Sequence, residues 1–410
     1  MGHAKTALVV VVDAVGLETL EYLLDKHPGK VKLPNLSRLG LPRLLSEKGR
    51  RIGRDGKGGY AARIEQASAS ADSVIGHREM MGILDDRTYN LFPEGFPKDF
   101  ILELERRIKR KTLFNKMAGG MEAIELNAAE HKRTGHPIVY ASKCDPLVQI
   151  AMDEAVIPVR EQHAIADAAF ELAREMSIQI TRSIARAYNR TPDGEIVRTA
   201  NRHDAVLPMG KKTLVDLLYE RKVWTVAVGK TSELVNTNYH EKIKLTDRAF
   251  VDPALKLEFV HPKGKDTNPL MIQGTINALA AAKTAYRPQG TFVFANFVDT
   301  DSLYGHTRDV AGSLRAVEAV DRVIPVLEKR MSKGDLLVLS ADHGMDHRDD
   351  YGYHNKECLP LLAERIGCGA DLGDIRPGKG RTLADVGWLV AQFFGCGKEF
   401  AQVSGLGSYF

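Results

Sequence analysis

Cysteine is scarce in this chain: its 410 residues include four, Cys144, Cys358, Cys368 and Cys396, none of them in a CxxC pair. That excludes a disulfide framework and a zinc ribbon, and it fits a reducing compartment. Long hydrophobic runs are also missing. The only strongly apolar stretch near the start, Ala7–Val12, is cut by Asp13, which leaves it too short for a signal h-region or a membrane span. With no export signal written in the sequence, a cytoplasmic protein with no membrane partner is the expectation. Charge of one sign is scarce as well. Lys plus Arg number 57 against 53 Asp plus Glu, a formal +4, and that is too weak a field over so large a surface to suggest a nucleic-acid partner. Internal repeats and low-complexity tracts are absent, and Gly53–Tyr60 lacks the GxxxxGK[ST] order of a phosphate-cradling loop, so it reads as a flexible surface loop.

What is present is ordinary globular usage, 44% hydrophobic, 27% charged and 7% aromatic, in a chain long enough for a core plus an inserted or appended domain. Short apolar, β-branched runs recur. Ala7–Val12, Val223–Val228, Thr291–Val298 and Leu336–Ser340 read as buried parallel strands. Helical spacing separates them, at Leu17, Leu20 and Leu23–Leu24, at Leu314, Val317, Val320 and Val323–Ile324 within Val310–Met331, and in a last helix running from an N-cap at Thr382 to Phe394. The alternation predicts an α/β fold, a mainly parallel sheet flanked by helices. Between residues 90 and 210 the texture changes, with helices at Phe100–Lys111 and Arg160–Met176 around a lone strand at Pro137–Ser142. This predicts an inserted α+β domain at 90–210 and a discontinuous core made of 1–89 and 211–410. The basic cluster Arg106–Lys111 reads as a solvated helix face rather than an anion grip.

In parallel sheets functional groups gather at the carboxyl edge, where the loops share one crevice. Three of the predicted strands end there in acids: Asp13, then Asp299 and Asp301, then Asp342 followed by His343. One Asp after a strand is ordinarily a turn or cap residue. Three together, two of them with His306 and His343 nearby, point to a metal centre, and carboxylates mixed with imidazoles suit Mn, Mg or Zn. His354, in a Gly-rich loop, can return to the same edge, and so can His347; spacing alone does not choose between them. The segment Asp72-Ser73-Val74-Ile75-Gly76-His77 places a Ser at the start of a short helix. That position suits an N-cap. It also suits a nucleophile, because helix N-terminal amides favour an incoming phosphate and a metal ion lowers the pKa of a hydroxyl. Phosphoryl transfer with two metals is chemistry this set can perform.

The set Asp13, Asp72-Ser73-x-x-Gly76-His77, Asp301-x4-His306, Asp342-His343-Gly344 and His354 resembles the alkaline phosphatase superfamily of metalloenzymes, and within it most closely the phosphopentomutases. The resemblance runs nearly the whole length. It includes Phe92–Pro97, Asn115-Lys116, Thr134–Ser142, Arg198-Thr199-Ala200-Asn201-Arg202-His203-Asp204 and Tyr304-Gly305-His306-x-Arg308-Asp309. It implies an alkaline-phosphatase-like core, with the insert as a cap that keeps water from a phosphorylated nucleophile. It further implies two Mn ions (Mg, Co or Zn being possible), one held by Asp13, Ser73, Asp342 and His343, the other by Asp301, His306 and His354. Ser73 stands where the family has the Thr that carries a phosphoryl group. The reaction implied interconverts ribose or deoxyribose 1-phosphate and 5-phosphate through a bisphosphate, with a bisphosphorylated sugar as activator. Asp145 resembles the cap acid that contacts sugar hydroxyls, with Ser142 beside it. Arg182, Arg198, Arg202 and Lys230 are candidates for the phosphate that is not reacting, Arg offering a planar fork.

Several positions depart from the family pattern. Arg78 stands where Trp is usual, Ser142-Lys143-Cys144-Asp145 is one residue longer, Arg186-Ala187 lacks a proline, Gly352-Tyr353-His354 differs in its approach, and the stretch after Asp13 is shorter. The metal ligands are untouched, so the chemistry is better specified than the substrate. Two alternatives stay open: a mutase for a different phosphosugar, and a metal-dependent phosphatase or phosphodiesterase using the same Ser73. The long insert favours the mutase, since excluding water is what separates mutase from phosphatase. A binding or scaffold protein needs neither a nucleophile nor seven ligands. The oligomeric state is not written in the sequence.

Overall fold

Runs that are apolar at every position build strands buried on both faces, and the centre of the sheet is made of three of them. The computed structural model describes residues 4–27, 29–143, 145–199, 201–259, 261, 265–347 and 353–410; Cys144, Ala200 and Gly352, named above, lie outside these. The chain falls into two compact units, Met1–Asp86 with Met209–Phe410, and Arg87–Pro208. In the first unit, β1 (Thr6–Val12), β2 (Tyr60–Ile64), β3 (Trp224–Val228), β4 (Glu241–Ile243), β5 (Thr291–Phe297), β6 (Leu336–Ser340) and β7 (Leu359–Arg365) form one sheet in the order β4-β3-β5-β1-β6-β7-β2. The five strands from β4 to β6 are parallel. β7 and β2 continue the sheet antiparallel. Sequence pattern does not predict these two, because Arg63, Glu364 and Arg365 interrupt their apolar character.

Every residue of β1, β5 and β6 is buried. Alternation along β1 divides the core between the two faces of the sheet: Leu8, Val10 and Val12 join one cluster, Ala7, Val9 and Val11 the other. Helices α1 (Leu17–Lys26), α2 (Ser73–Met80), α3 (Asn268–Thr284), α4 (Val310–Arg330) and α5 (Asp385–Phe393) belong to this unit. Register places Val11 opposite Asn296 on β5 and Ser340 on β6, so three neighbouring strands end level with one another. Thr382 does not cap α5. It pairs with Glu65 in a parallel bridge, its carbonyl accepts from Asp385 N, and the helix begins three residues later. Gly53–Tyr60 packs rather than floats: Gly56 N donates to Ser37 O at 2.9 Å, and a Cβ on Gly56 would lie 2.5 Å from Arg38 Cα.

The second unit is a mixed sheet of Leu113–Met117, Ile138–Ala141, Leu147–Asp153, Arg182–Arg190 and Ile196–Arg198, with His203–Val206 also paired to Arg182–Arg190. Helices Lys98–Ile108, Gly120–Thr134 and Val159–Glu175 pack with it. The expected lone strand is thus one of six among the described residues. The basic cluster is ion-paired: Arg106 and Arg107 with Glu103, Arg107 also with Glu175, Arg110 with Glu161 and Lys111 with Glu105.

Away from the strand ends, Arg38 bridges two carboxylates of the core, donating to Glu364 Oε2 at 2.7 Å and also to Glu328. Burial, followed by the neighbouring Glu364, pushes Glu328 up to about 7. A carboxyl raised in the folded state favours folding while it is protonated, and that contribution is lost as pH climbs through 7. Glu328→Gln is therefore expected to resist urea better than the wild type at pH 8, the gap closing as pH falls toward 4.5; a wild type that is the more stable at pH 8 would contradict this.

Candidate metal centre and active site

Each of the three central strands delivers one carboxylate to the same edge. β1 runs into Asp13, whose N–H donates to Phe297 O at 3.1 Å, and Ala14 then takes a left-handed φ of 60°. That turn aims the Ala14 N–H at Asp342 Oδ1, 3.1 Å away. β6 runs into Asp342 and His343. β5 runs into a helical turn, Asp299–Ser302, whose two acids divide the work. Asp299 accepts from Thr267 N at 2.9 Å, Thr267 Oγ1 at 2.7 Å and Asn268 N at 2.8 Å, capping the start of α3. Asp301 instead faces two histidines, with His354 Nε2 at 3.1 Å and His306 Nε2 at 3.4 Å from its Oδ1.

The hairpin Gly344–Asp346 with Tyr353–Asn355 pairs Met345 with His354. It returns His354 to stack on His343 with ring centroids 4.0 Å apart, while His347 stacks on Tyr22 at 5.6 Å. His354 therefore joins the cluster and His347 packs on α1. His343 Nδ1 bonds Gly344 O at 3.0 Å. A carbonyl only accepts, so that nitrogen carries hydrogen, and Nε2 is the nitrogen that faces the acids, 3.4 Å from Asp13 Oδ1 and 3.5 Å from Asp342 Oδ2. Asp13, Asp342 and His343 offer ligand atoms within 4.8 Å of one another, and so do Asp301, His343 and His354.

Ser73 opens α2. Asp72 caps the helix by accepting from Val74 N at 2.7 Å, and Ser73 Oγ lies 3.1 Å from His343 Nε2. Gly76 is required one turn on, since a Cβ there would sit 2.2 Å from Asp342 O. Helix and metal-edge strand can approach this closely only over hydrogen.

Electrostatics mark the cluster as a cation site. Asp13, Asp342 and His343 have no exposed surface and Asp301 is 4% exposed. Burial, then the charges of Asp342 and Asp301, hold Asp13 well above the usual carboxylate range. Asp301 is held well below that range in spite of burial, by His306 and His354. Asp342 is likewise held low against burial, by His343 and His77. Burial opposes charge on His343, yet Asp342, Asp13 and Asp301 push it up to about 9. The field that draws a proton onto a buried imidazole also draws a metal ion, which takes the proton's place. Asp13 Oδ1 is buried and accepts no hydrogen bond, so the centre holds an oxygen donor awaiting a partner, and its O and N ligands fit a divalent ion of the hard or borderline kind.

Lys230 follows β3 at the head of Thr231–Leu234, and its charge acts on Asp13. In the second unit, Ser142 Oγ is 3.2 Å from Asp145 Oδ2, and Arg182 Nη2 is 3.9 Å from Asp145 Oδ1. Arg202 grips Asp204 with Nε and Nη2. Arg198 Nη2 lies where a Cβ on Gly120 would be 2.1 Å away, beside Tyr140. Sequence reading overlooks Arg186, which shares this cluster: its Nε donates to Gln149 Oε1 at 2.9 Å, and burial, then the charges of Arg202 and Arg198, bring it down to about 9. A half-buried arginine whose neighbours are an amide and two like charges has a chemistry that suits an anion.

The metalloenzyme superfamily model matches residues 5–398. A phosphopentomutase of Caldanaerobacter subterraneus subsp. tengcongensis is 34% identical, covering 96% of this chain and 95% of its own. Phosphopentomutases of Pseudothermotoga lettingae and Carboxydothermus hydrogenoformans are 33% and 31% identical, each over 95% of this chain and 96% of theirs. The chain belongs to the phosphopentomutase family of metalloenzymes. Ser73, Gly76 and His77 share one helix, and the close pass of that helix over Asp342 makes their spacing intelligible. Arg78, the departure beside them, is 3% exposed and donates through Nε to Leu234 O at 3.1 Å, so it is part of the packing behind Ser73.

The two acids after β5 are expected to separate cleanly on substitution. Asp299→Ala should cost about 1 kcal/mol of stability, as loss of a helix cap does, with Mn²⁺ affinity kept. Asp301→Asn should weaken Mn²⁺ binding at least about tenfold; calorimetry paired with urea melts reads both, and the reverse pattern would overturn the division.

Proposed function

We propose that this chain is a divalent-metal-dependent phosphosugar mutase that moves a phosphoryl group between the 1- and 5-oxygens of ribose or deoxyribose phosphate by way of a phosphorylated Ser73. The observation that carries this reading is Ser73 Oγ at the start of α2, 3.1 Å from His343 Nε2, above three buried carboxylates. Asp13, Ser73, Asp342 and His343 would hold one cation, and Asp301, His306 and His354 a second. Mn²⁺ is the ion proposed, with Mg²⁺, Co²⁺ or Zn²⁺ as substitutes. When bound, such a pair neutralises charge on phosphoryl oxygens and lowers the pKa of the serine hydroxyl.

The chain's own residues do the rest. The sugar 5-hydroxyl attacks the phosphorus on Ser73, forming the O5–P bond as the Ser73 Oγ–P bond breaks. Ser73 Oγ, freed by that step, attacks the 1-phosphate of the resulting bisphosphate and the 1-oxygen leaves. The proton lost by the 5-hydroxyl is balanced by the one the 1-oxygen takes up, so the cycle releases no phosphate. A bisphosphorylated sugar primes it by phosphorylating Ser73. The amides at the start of α2 stabilise the transferring group. Residues 90–210 serve as the cap, with Ser142 and Asp145 on sugar hydroxyls and Arg182, Arg186, Arg198 and Arg202 as the anion grip. Lys230 adds a cation on the core side. The mixed sheet that presents these arginines, and relatives named phosphopentomutase over nearly the whole chain, support this reading.

The deciding experiment incubates Mn²⁺-loaded protein, primed with glucose 1,6-bisphosphate, with ribose 1-phosphate and follows sugar phosphates and free phosphate by ³¹P NMR. Ribose 5-phosphate without phosphate release is expected; dominant phosphate release would instead establish the phosphatase alternative. Ser73→Ala should cut turnover about a thousandfold or more and abolish the added phosphoryl mass on the intact chain.

A further inference from the structure

Two buried polar residues meet behind the carboxylates, and the chemistry above uses neither. Asn296 lies on β5, in register with Val11 of β1, and is 1% exposed. His77 lies one turn along α2 from Ser73 and is fully buried. Asn296 Nδ2 is 3.0 Å from Asp13 Oδ2 and 3.0 Å from His77 Nε2. On the opposite side of the ring, His77 Nδ1 is 2.9 Å from Ser73 O and 3.1 Å from Asp342 Oδ2.

The partners determine where every proton must sit. The Ser73 carbonyl and an ionised Asp342 only accept, so Nδ1 carries the ring hydrogen. Nε2 of a neutral ring then accepts, and the Asn296 amide is the donor facing it. The second amide hydrogen is left for Asp13 Oδ2, which as an ionised ligand also only accepts. One tautomer and one amide orientation satisfy all these contacts at once.

On the reading of the Asp13, Asp342 and His343 group as a divalent-cation site, we propose that Asn296 and His77 are its positioning residues. They form one bridge, Asp13–Asn296–His77–Asp342, that aims both carboxylates and ties them to the helix carrying Ser73. Carboxylates that ligate an ion are oriented by hydrogen bonds from groups that never touch it, and removing such a group typically costs about 10- to 100-fold in metal affinity. Neutral donors suit this task, because a lysine or arginine in the same place would compete with the ion for the carboxylates' charge.

The test titrates Mn²⁺ calorimetrically into the full chain as wild type, His77→Asn, His77→Gln and Asn296→Leu. An Asn side chain presents its amide near the place of Nδ1, whereas Gln reaches only the place of Nε2. His77→Asn is expected to stay close to wild-type affinity, and His77→Gln and Asn296→Leu to lose about 10- to 100-fold. Wild-type affinity in both of the latter, or no Mn²⁺ binding by the wild type, overturns the bridge. Because these positions are buried and a variant can misfold, a second measurement uses the wild type alone. Long-range ¹H–¹⁵N spectra of histidine-labelled, Mg²⁺-loaded protein should show His77 as the neutral Nδ1–H tautomer; an Nε2–H ring or an imidazolium overturns the proposal. Weakened Mn²⁺ binding by the variants of a wild type that lacks mutase activity would sink the proposed function and leave the bridge standing. Mutase activity with unchanged affinities would sink the bridge alone.

Discussion

Three buried carboxylates within reach of one another are what the rest of this structure accommodates. Asp13, Asp301 and Asp342 sit at the ends of three adjacent parallel strands, each 4% exposed or less. Like charges in a poorly solvated place repel, and a fold retains them only where positive charge is supplied. The metal-free chain answers with protons: His343 is pushed up to about 9 and Asp13 is held above its usual range. Divalent ions are the more complete answer. Much of the local architecture follows from fitting them, including the left-handed Ala14, the close pass of Gly76 and the hairpin that brings His354 back.

The near-neutral balance of the whole chain conceals a division of charge between the two units. The first concentrates carboxylates at a strand edge. The second concentrates guanidinium groups, with Arg186 brought down to about 9 by burial and by its neighbours, and Asp204 brought down to about 2 in spite of burial, by Arg202, Arg182 and Arg186. A formal +4 over 410 residues carries no trace of either.

The strand-end carboxylates were legible because uninterrupted β-branched runs leave little doubt about where a central parallel strand stops. Asp13 follows such a run directly, and Asp342-His343 follow the apolar strand Leu336–Ser340 after Ala341. Asp299 and Asp301 did not separate by sequence, for both follow β5; only the helix that Asp299 caps tells them apart, and Asn268–Thr284 is buried around most of its circumference, with no polar stripe to announce it. The choice of His354 over His347 depended on a hairpin register, which is set by pairing across the loop. Arg186 is one of several polar residues in its strand and Asn296 looks like a blemish in an apolar one, and their meaning lies in partners far along the chain, Gln149, Asp13 and His77. The antiparallel strands β2 and β7 escaped for the same reason, polar positions read without their neighbours.

Anomalous diffraction from crystals of the Mn²⁺-loaded protein tests the central claim most directly. The account predicts two manganese peaks about 4 Å apart, one contacted by Asp13, Ser73, Asp342 and His343, the other by Asp301, His306 and His354. A single peak, or peaks away from these side chains, would contradict it.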